Sequence, residues 1–500
     1  MISNRFDNLS DSEEWKSVEN LYKENQAELS VLQTNLVNKY GFSKVLAEDS
    51  ILYELSGFVY NENTSFKNFF FFNLLLFYTI FLFLVLIFPI LFVYRIFRKK
   101  YAYAILFEEM WDSRSLYSRF YKGIYNHIKS KDIALLLTSP NLKKETSIKN
   151  IEGWNDNVVD TRMSNLLYDY KIVYKIFKND YLFGVTLFKA SNKVNLLYIY
   201  LRLLRRMLMH SSQVDTVSSK VIISAVDYYW NPIKYFYYKK NIDKIVLIQH
   251  NHKDNYLYGR ALMYCDNYFA HSTHSIDKIS INQDSVIKSI GSLQVYDFIK
   301  NSKDKLKYDI LFINQTVNDN LKDGTPLLDQ DLLIKSHSKL IDNFTQYLNK
   351  NKDIKVVYMT KPTYMEVEPA KSIRKSFDTN KNIDFFSAYG KSTFDLVSKS
   401  KVIINMYSSV GREAYGMDKK VLWVNYDNCC SLFDLDIAED DIHTLVTDNS
   451  YQAFEERINL LLSDDKEVDN HYKKLKEKYM NIQENPAKII AAKINEILEK

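Results

Sequence analysis

Cysteine is nearly absent: three residues in 500, with Cys429 and Cys430 adjacent and Cys265 alone. That leaves no disulfide framework, and without a C-x-x-C pair a thiolate zinc site has too few ligands. Such a chain is expected in a reducing compartment. Glycine (11) and proline (7) are also scarce, which excludes collagen-like, glycine-rich and mucin-like chains. Neither G-x-x-x-x-G-K-[ST] nor G-x-G-x-x-G occurs, so P-loop and dinucleotide-binding readings lack their loops. The 66 basic residues nearly balance 61 acidic ones, and a net charge of +5 is too thin for the concentrated basic face that nucleic acid needs. The opening Met1-Ile2-Ser3-Asn4-Arg5 is not followed by an apolar run, so no cleavable signal peptide is expected.

What is present is a chain of ordinary globular composition, 46% hydrophobic and 25% charged, long enough for two to four units. Its strongest signal is the run from Asn68 to Tyr94, uncharged between Lys67 and Arg95. A helix needs about 20 apolar residues to cross a membrane, and tilt or a kink at Pro89 absorbs the excess. The run predicts one transmembrane helix over 67–98, against the alternatives of a re-entrant hairpin or a buried core helix. Arg95, Arg98, Lys99 and Lys100 follow it directly. By the positive-inside rule they place residues 95–500 in the cytoplasm, as in a single-pass membrane protein, with the first 66 residues outside unless the segment only dips into the membrane.

Ser10 and Glu13 have capping-box spacing before Trp15, Val18, Leu21 and Tyr22, which predicts a helix or short coiled coil over 10–40. Residues 101–130 are rich in Tyr and Arg and read as an amphipathic stretch, at the membrane or packed on the next domain. From 131 onward, short apolar runs alternate with helical stretches. The expected strands are 132–138, 220–226, 243–249, 267–271 and 285–290, then 308–313, 354–359, 382–386, 401–405 and 420–425. Helical pieces are expected at 195–210, 231–240, 257–265, 328–350, 363–378, 391–399 and 409–417. Apolar strands alternating with helices imply parallel sheets covered on both faces. Two such series with a polar joint at 299–307 predict an α/β chain of two tandem Rossmann-like domains. The first would span 99–300 and the second 301–500, the latter ending in a helix begun by Asn485 and Pro486.

Ligands of open parallel sheets bind beyond the carboxyl ends of the strands, which selects a few loops. After 401–405 comes Ser408-Ser409-Val410-Gly411-Arg412-Glu413. A helix starting at the serines offers N–H groups to an anion, and Glu413, at an exposed first-turn position, offers an acceptor to a ribose. The alternative is a plain N-cap with a solvated glutamate. After 243–249 comes His250, whose near-neutral pKa suits a general base, and after 220–226 comes Asp227, a competing base. A loop histidine held only by structural hydrogen bonds is the plainer alternative. His250, His252, His271 and His274 cluster, but at adjacent strand ends where this fold gathers side chains, so no metal is expected. Asp434-Leu435-Asp436 reads as part of a solvated acidic loop. Lys361 and Gln315 follow strands 354–359 and 308–313, near the expected donor phosphates.

The run S-S-V-G-R-E-A-Y-G-M-D-K-K-V-L-W-V-N resembles the nucleotide-binding segment of GT-B glycosyltransferases that build bacterial capsule and lipopolysaccharide, including the Kdo- and sialyltransferase-like groups. Asp418-Lys419-Lys420 stands where many members have Gly-Lys-Pro, and Asn251 where many have glycine after Gln-His. The resemblance implies that Ser408, Ser409 and Gly411 face phosphate and Glu413 the ribose. Arg412, Gln315 and Lys361 complete the nucleotide-sugar-binding set, and His250 or Asp227 serves as catalytic base. It further implies a membrane-anchored, metal-independent glycosyltransferase with no cofactor beyond its nucleotide-sugar substrate. The acceptor would be lipid-linked or a growing glycan, and a polysaccharide-synthesis complex a further partner. A polyol-phosphate transferase with a CDP-linked donor, or a non-catalytic assembly scaffold, are the rival readings.

Overall fold

The computed structural model describes residues 13–60, 70–97, 99–109, 116–138, 154, 157–161, 169–180, 182–190, 194–250, 262–277, 279–282, 284–301, 306–314, 330–360, 382–387, 391–429 and 443–500. The first domain carries β1 (Tyr101–Glu109), β2 (Ile133–Leu137), β3 (Asn157–Asp160), β4 (Val217–Ser224) and β5 (Ile242–Ile248). It continues with β6 (Leu262–Met263), β7 (Asn267–Ala270), β8 (Ser280–Ile281) and β9 (Val286–Ser289). Seven of these form one sheet in the order β3-β2-β1-β4-β5-β7-β9, while β6 pairs with β8. The second domain carries β10 (Tyr308–Ile313), β11 (Val356–Thr360), β12 (Ile383–Ser387), β13 (Ser400–Asn405), β14 (Lys420–Val424) and β15 (Leu445–Val446). They form a six-stranded sheet in the order β12-β11-β10-β13-β14-β15. Every pairing in both sheets is parallel. Both orders follow the doubly wound pattern, first strand central and the direction reversing between the first and fourth. The two tandem Rossmann-like domains expected from the apolar runs are therefore present.

The strands buried on both faces lie within a few residues of their expected positions. The exceptions are informative. Tyr101–Glu109, inside the stretch read as amphipathic, is the central strand of the first sheet, paired to β2 and β4. Its second half is wholly buried while its first half is partly exposed, and the alternating Tyr-Ala start hid the strand. Leu262–Met263, inside the helical piece expected at 257–265, is a short strand. The expected helix at 363–378 lies outside the described residues.

The last helix, Pro486–Glu499, starts as expected: the Asn485 side chain accepts from Ala487 and Lys488 N–H groups with Pro486 in the first turn. It does not close the second domain. Ala487, Ile490, Ala491 and Ile494 pack into the first domain's core with Ile105, Val221 and Val246. The 301–500 boundary is thus corrected, because these residues return to the first sheet.

The N-terminal helices Glu13–Glu24, Gln26–Asn35 and Lys44–Tyr60, with a π-helical turn Leu36–Tyr40, are likewise not a separate unit. Their buried Val18, Leu29, Leu32 and Ile51 share one core with Leu106, Ile222 and Leu247 of the first sheet. Buried Glu54 takes Nε–H donors from Arg202 and Arg206 on helix Leu196–Val214. Buried Asp180 meets Tyr40, Asn35 and Lys39. The placement of residues 1–66 across a membrane from the α/β body is corrected for 13–56, which belong to that body. The apolar run forms one helix, Phe70–Phe97, and among the described residues it alone is long and apolar enough to cross a membrane by length and composition.

Candidate functional site between the two sheets

The carboxyl ends of β1 and β4 mark the switch point of the first sheet, and those of β10 and β13 that of the second. At the first, β1 ends in Glu108-Glu109. Glu109 accepts the N–H groups of Leu116 (3.0 Å) and Tyr117 (3.1 Å), fixing the start of a π-helical turn, Tyr117–Tyr121. Tyr121 closes that turn, donating its hydroxyl to the Glu108 carbonyl (2.7 Å) and accepting the Ala225 N–H (2.9 Å). The turn carries Arg119 and Phe120 to the site.

His250 follows β5 and is buried. Its Nδ1 lies 2.8 Å from the Ala225 carbonyl, so Nδ1–H donates there and the basic lone pair sits on Nε2. The imidazole packs on Phe120 with ring centroids 5.1 Å apart, and the Arg119 guanidinium lies 5.1 Å above the same ring. Arg119 Nε also donates to Gln294 Oε1 at 3.2 Å, on helix Leu293–Asn301. Asp227 is fully buried after β4 and accepts the Tyr268 hydroxyl at 2.8 Å. Burial, then the Asp227 charge, pushes that phenol well above its ordinary pKa.

On the second sheet, Asn405 ends β13 and shapes the loop: its Oδ1 accepts Ser408 N–H (3.0 Å) and its Nδ2 donates to the Ser408 carbonyl (2.8 Å). Ser408 and Ser409 are half-buried ahead of helix Val410–Gly416. Glu413 departs from its expected exposed position, since it is only 5% exposed. Burial raises its pKa to about 7, with the Arg119 charge of the other domain pulling the opposite way. The Tyr117–Tyr121 turn therefore stands against His250 on one side and within electrostatic reach of Glu413 on the other.

Two residues of the expected nucleotide-sugar-binding set also make contacts inside the second domain. Arg412 is 1% exposed, its guanidinium 4.1 Å from the Tyr479 ring and 5.2 Å from Trp423, so it points into the core of the second domain. A Cβ at Gly411 would come 2.4 Å from Asn405 Nδ2 and 2.6 Å from the Trp423 ring, so glycine is required by the helix–strand contact. Gln315, Lys361, His252 and Asp434–Asp436 lie outside the described residues. Among the described residues no three His, Cys, Asp or Glu side chains are grouped to hold a metal. Sequence reasoning missed Glu109, Arg119 and Phe120 because 101–130 was read as an amphipathic stretch. The available signal was a paired Glu-Glu closing an apolar run, the pattern of a strand's carboxyl end.

No protein-family model and no curated protein matches the sequence. Solved structures are similar to it over most of its length. A UDP-GlcNAc 2-epimerase from Neisseria meningitidis bound to UDP-GlcNAc aligns over 79% of this chain and 99% of its own, at 14% identity and TM-score 0.42. The Methanocaldococcus jannaschii UDP-GlcNAc 2-epimerase in complex with UDP-GlcNAc and UDP aligns over 79% and 100%, at 8% identity and TM-score 0.42. The wall teichoic acid polymerase TagF aligns over 79% and 89%, at 13% identity and TM-score 0.42. At these values the likenesses bear on no activity. The chain's own strand orders give the architecture: two Rossmann-like α/β domains in tandem, the GT-B type.

Proposed function

We propose that this protein is a glycosyltransferase that moves a sugar from a nucleotide-sugar donor to a lipid-linked or growing surface polysaccharide of the capsule or lipopolysaccharide kind. The observation that carries the reading is the Tyr117–Tyr121 turn, whose Phe120 packs on His250 of the first sheet and whose Arg119 charge reaches Glu413 of the second. Two switch points brought to one wall suit a donor held by one domain and an acceptor by the other. His250 Nε2 takes the proton of the acceptor hydroxyl, whose oxygen forms the new bond to the anomeric carbon. The bond from that carbon to the phosphate oxygen breaks, and the nucleotide leaves with the electron pair. Arg119 and the Ser408 and Ser409 hydroxyls meet its charge. Glu413 accepts the ribose hydroxyls. Asp227, buried and bonded to the Tyr268 hydroxyl, is the competing base.

A thermal-shift screen against UDP-, GDP-, CMP-, CDP- and dTDP-linked donors identifies the nucleotide, since a bound ligand raises the melting temperature. With that donor, Glu413→Gln is expected to weaken binding by about 10- to 150-fold, the loss of charge-assisted bonds worth roughly 1.5–3 kcal/mol. His250→Ala is expected to keep affinity and lose turnover by roughly 10²–10⁴-fold. Unchanged binding in Glu413→Gln, read by calorimetry, overturns the ribose assignment. Conversion of UDP-GlcNAc without any acceptor would make the protein an epimerase, response to CDP-linked donors alone a polyol-phosphate transferase, and no response to any donor a scaffold.

A further inference from the structure

Helix Phe70–Phe97 has 28 residues, about 42 Å at 1.5 Å per residue, and its stretch 77–94 has a mean hydropathy of 2.6. Its two sides differ. Phe77, Leu84 and Leu91, seven apart, are buried against the first domain. Phe77 lies 6.5 Å from Tyr200, and a Cβ on Gly184 would come 2.5 Å from its ring, while Phe88 lies 6.3 Å from Tyr174. On the other side Leu82, Phe83, Leu86, Ile90 and Val93 are exposed, Leu86 by 68%. The apolar surface runs on through Tyr174 (50%) and Leu182 (70%).

A spanning helix would put its two flanks on opposite sides of the bilayer. Here residues 13–56 before it and β1 after it belong to one core. Its buried side also follows the body from Phe77 to Leu91, so crossing would drag helices of that body into hydrocarbon. The rim supplies the second clue. Helix Tyr170–Asp180 packs beside Phe70–Phe97 and carries exposed Lys171 and Lys178 with half-buried Lys175; Lys189, Lys99 and Lys100 are exposed nearby in sequence to the two packed helices. The acids at either end of Tyr170–Asp180, Asp169 and Asp180, are buried. An exposed apolar face bordered by exposed lysines matches an anionic leaflet, whose surface attracts each lysine and whose acyl boundary takes the leucines and phenylalanines.

We propose that Phe70–Phe97 lies in the plane of an anionic membrane, its Leu82–Val93 face immersed and the lysine rim at the headgroups, with both flanks on the side of the α/β body. Flotation of the full chain with phosphatidylglycerol and phosphatidylcholine vesicles tests the surface. The parent is expected to float with the anionic vesicles. Leu86→Glu with Ile90→Glu is expected to lose that binding at least tenfold with an unchanged melting curve, because both residues are exposed. Lys171→Glu with Lys178→Glu is expected to weaken it about fivefold per lysine on anionic vesicles only. A parent that floats with neither vesicle, or a Leu86/Ile90 double variant that floats as well as the parent, overturns the proposal. Topology is read with a membrane-impermeant maleimide on Asn20→Cys and Lys474→Cys in membranes, with the parent as control. Labelling of both from one face is expected; labelling from opposite faces would establish a spanning helix and overturn the in-plane placement.

Discussion

At the carboxyl end of β1, Glu108 receives Lys234 Nζ (2.6 Å), Trp230 Nε1 (3.0 Å) and Thr138 Oγ1 (3.0 Å), all out of water. At the equivalent end of β10, Asn314 receives the buried His337 ring at 3.0 Å, and the neighbouring β13 loop is braced by Asn405. The same strand order thus ends in a sealed ion pair in one domain and in neutral amides in the other. Burial draws Lys234 below the ordinary lysine range while Glu108 opposes it, and burial alone lowers His337 to about 4, which keeps it neutral near pH 7. The first domain spends its charges on a rigid frame that presents the Tyr117–Tyr121 turn. At the second switch point Glu413 is the acid poised to titrate. Rigidity on one side and a titratable group on the other fit a site assembled between them.

The largest break comes from the frame. Lys234→Met strands a buried carboxylate and is expected to cost about 3–5 kcal/mol in urea unfolding, whereas Asn314→Ala in the second domain, which strands only the neutral His337 ring, costs about 1–3 kcal/mol. Adding Glu108→Leu to Lys234→Met should recover most of the loss. Equal costs for Lys234→Met and Asn314→Ala would erase the contrast.

Next is the titrating acid. Glu413 has a folded pKa of about 7, above its ordinary value of 4.5. Its contribution to stability is therefore fully present below about pH 4.5 and is lost as pH rises through about 7. At about 1.4 kcal/mol per pH unit across that window the loss is roughly 3 kcal/mol. Glu413→Gln should melt higher than the parent at pH 8, and the gap should close towards pH 4.5. A gap independent of pH would remove Glu413 from the site's electrostatics. Arg119→Ala should move the same transition to higher pH by removing the opposing charge.

Smaller effects follow. Gly411→Ala must displace Trp423 or Asn405 and is expected to cost roughly 1–3 kcal/mol by thermal denaturation. Lys307→Ala removes an exposed pair with Asp384 (3.2 Å), and its melting curve should overlay the parent's.

Residues such as Val221-Ile222-Ile223 and Val402-Ile403-Ile404 were legible as strands because a parallel strand covered on both faces must be apolar throughout. The helix start at Asn485-Pro486 was legible because capping is local chemistry. The loop after β13 and the position of His250 followed from the strand assignment alone. The burial of Glu413 did not: its own helix says first turn, and only the packed chain removes it from water.

The sequence by itself determined the local elements: the alternation that yields two parallel sheets, the apolar helix before them, and the strand ends where a ligand can bind. These depend on contacts within a few residues or on hydrophobicity that either face of a strand must satisfy. Tertiary structure alone decided that Tyr101–Glu109 is the central strand, since its half-exposed start reads as either state until β2 and β4 flank it. It also decided that Pro486–Glu499 packs on the first domain and that residues 13–56 join the body beside the apolar helix. Those placements rest on pairs far apart in the chain, such as Glu54 with Arg202 and Arg206. An amphipathic segment's pattern says that one face is buried; which surface buries it is fixed only when the whole chain packs.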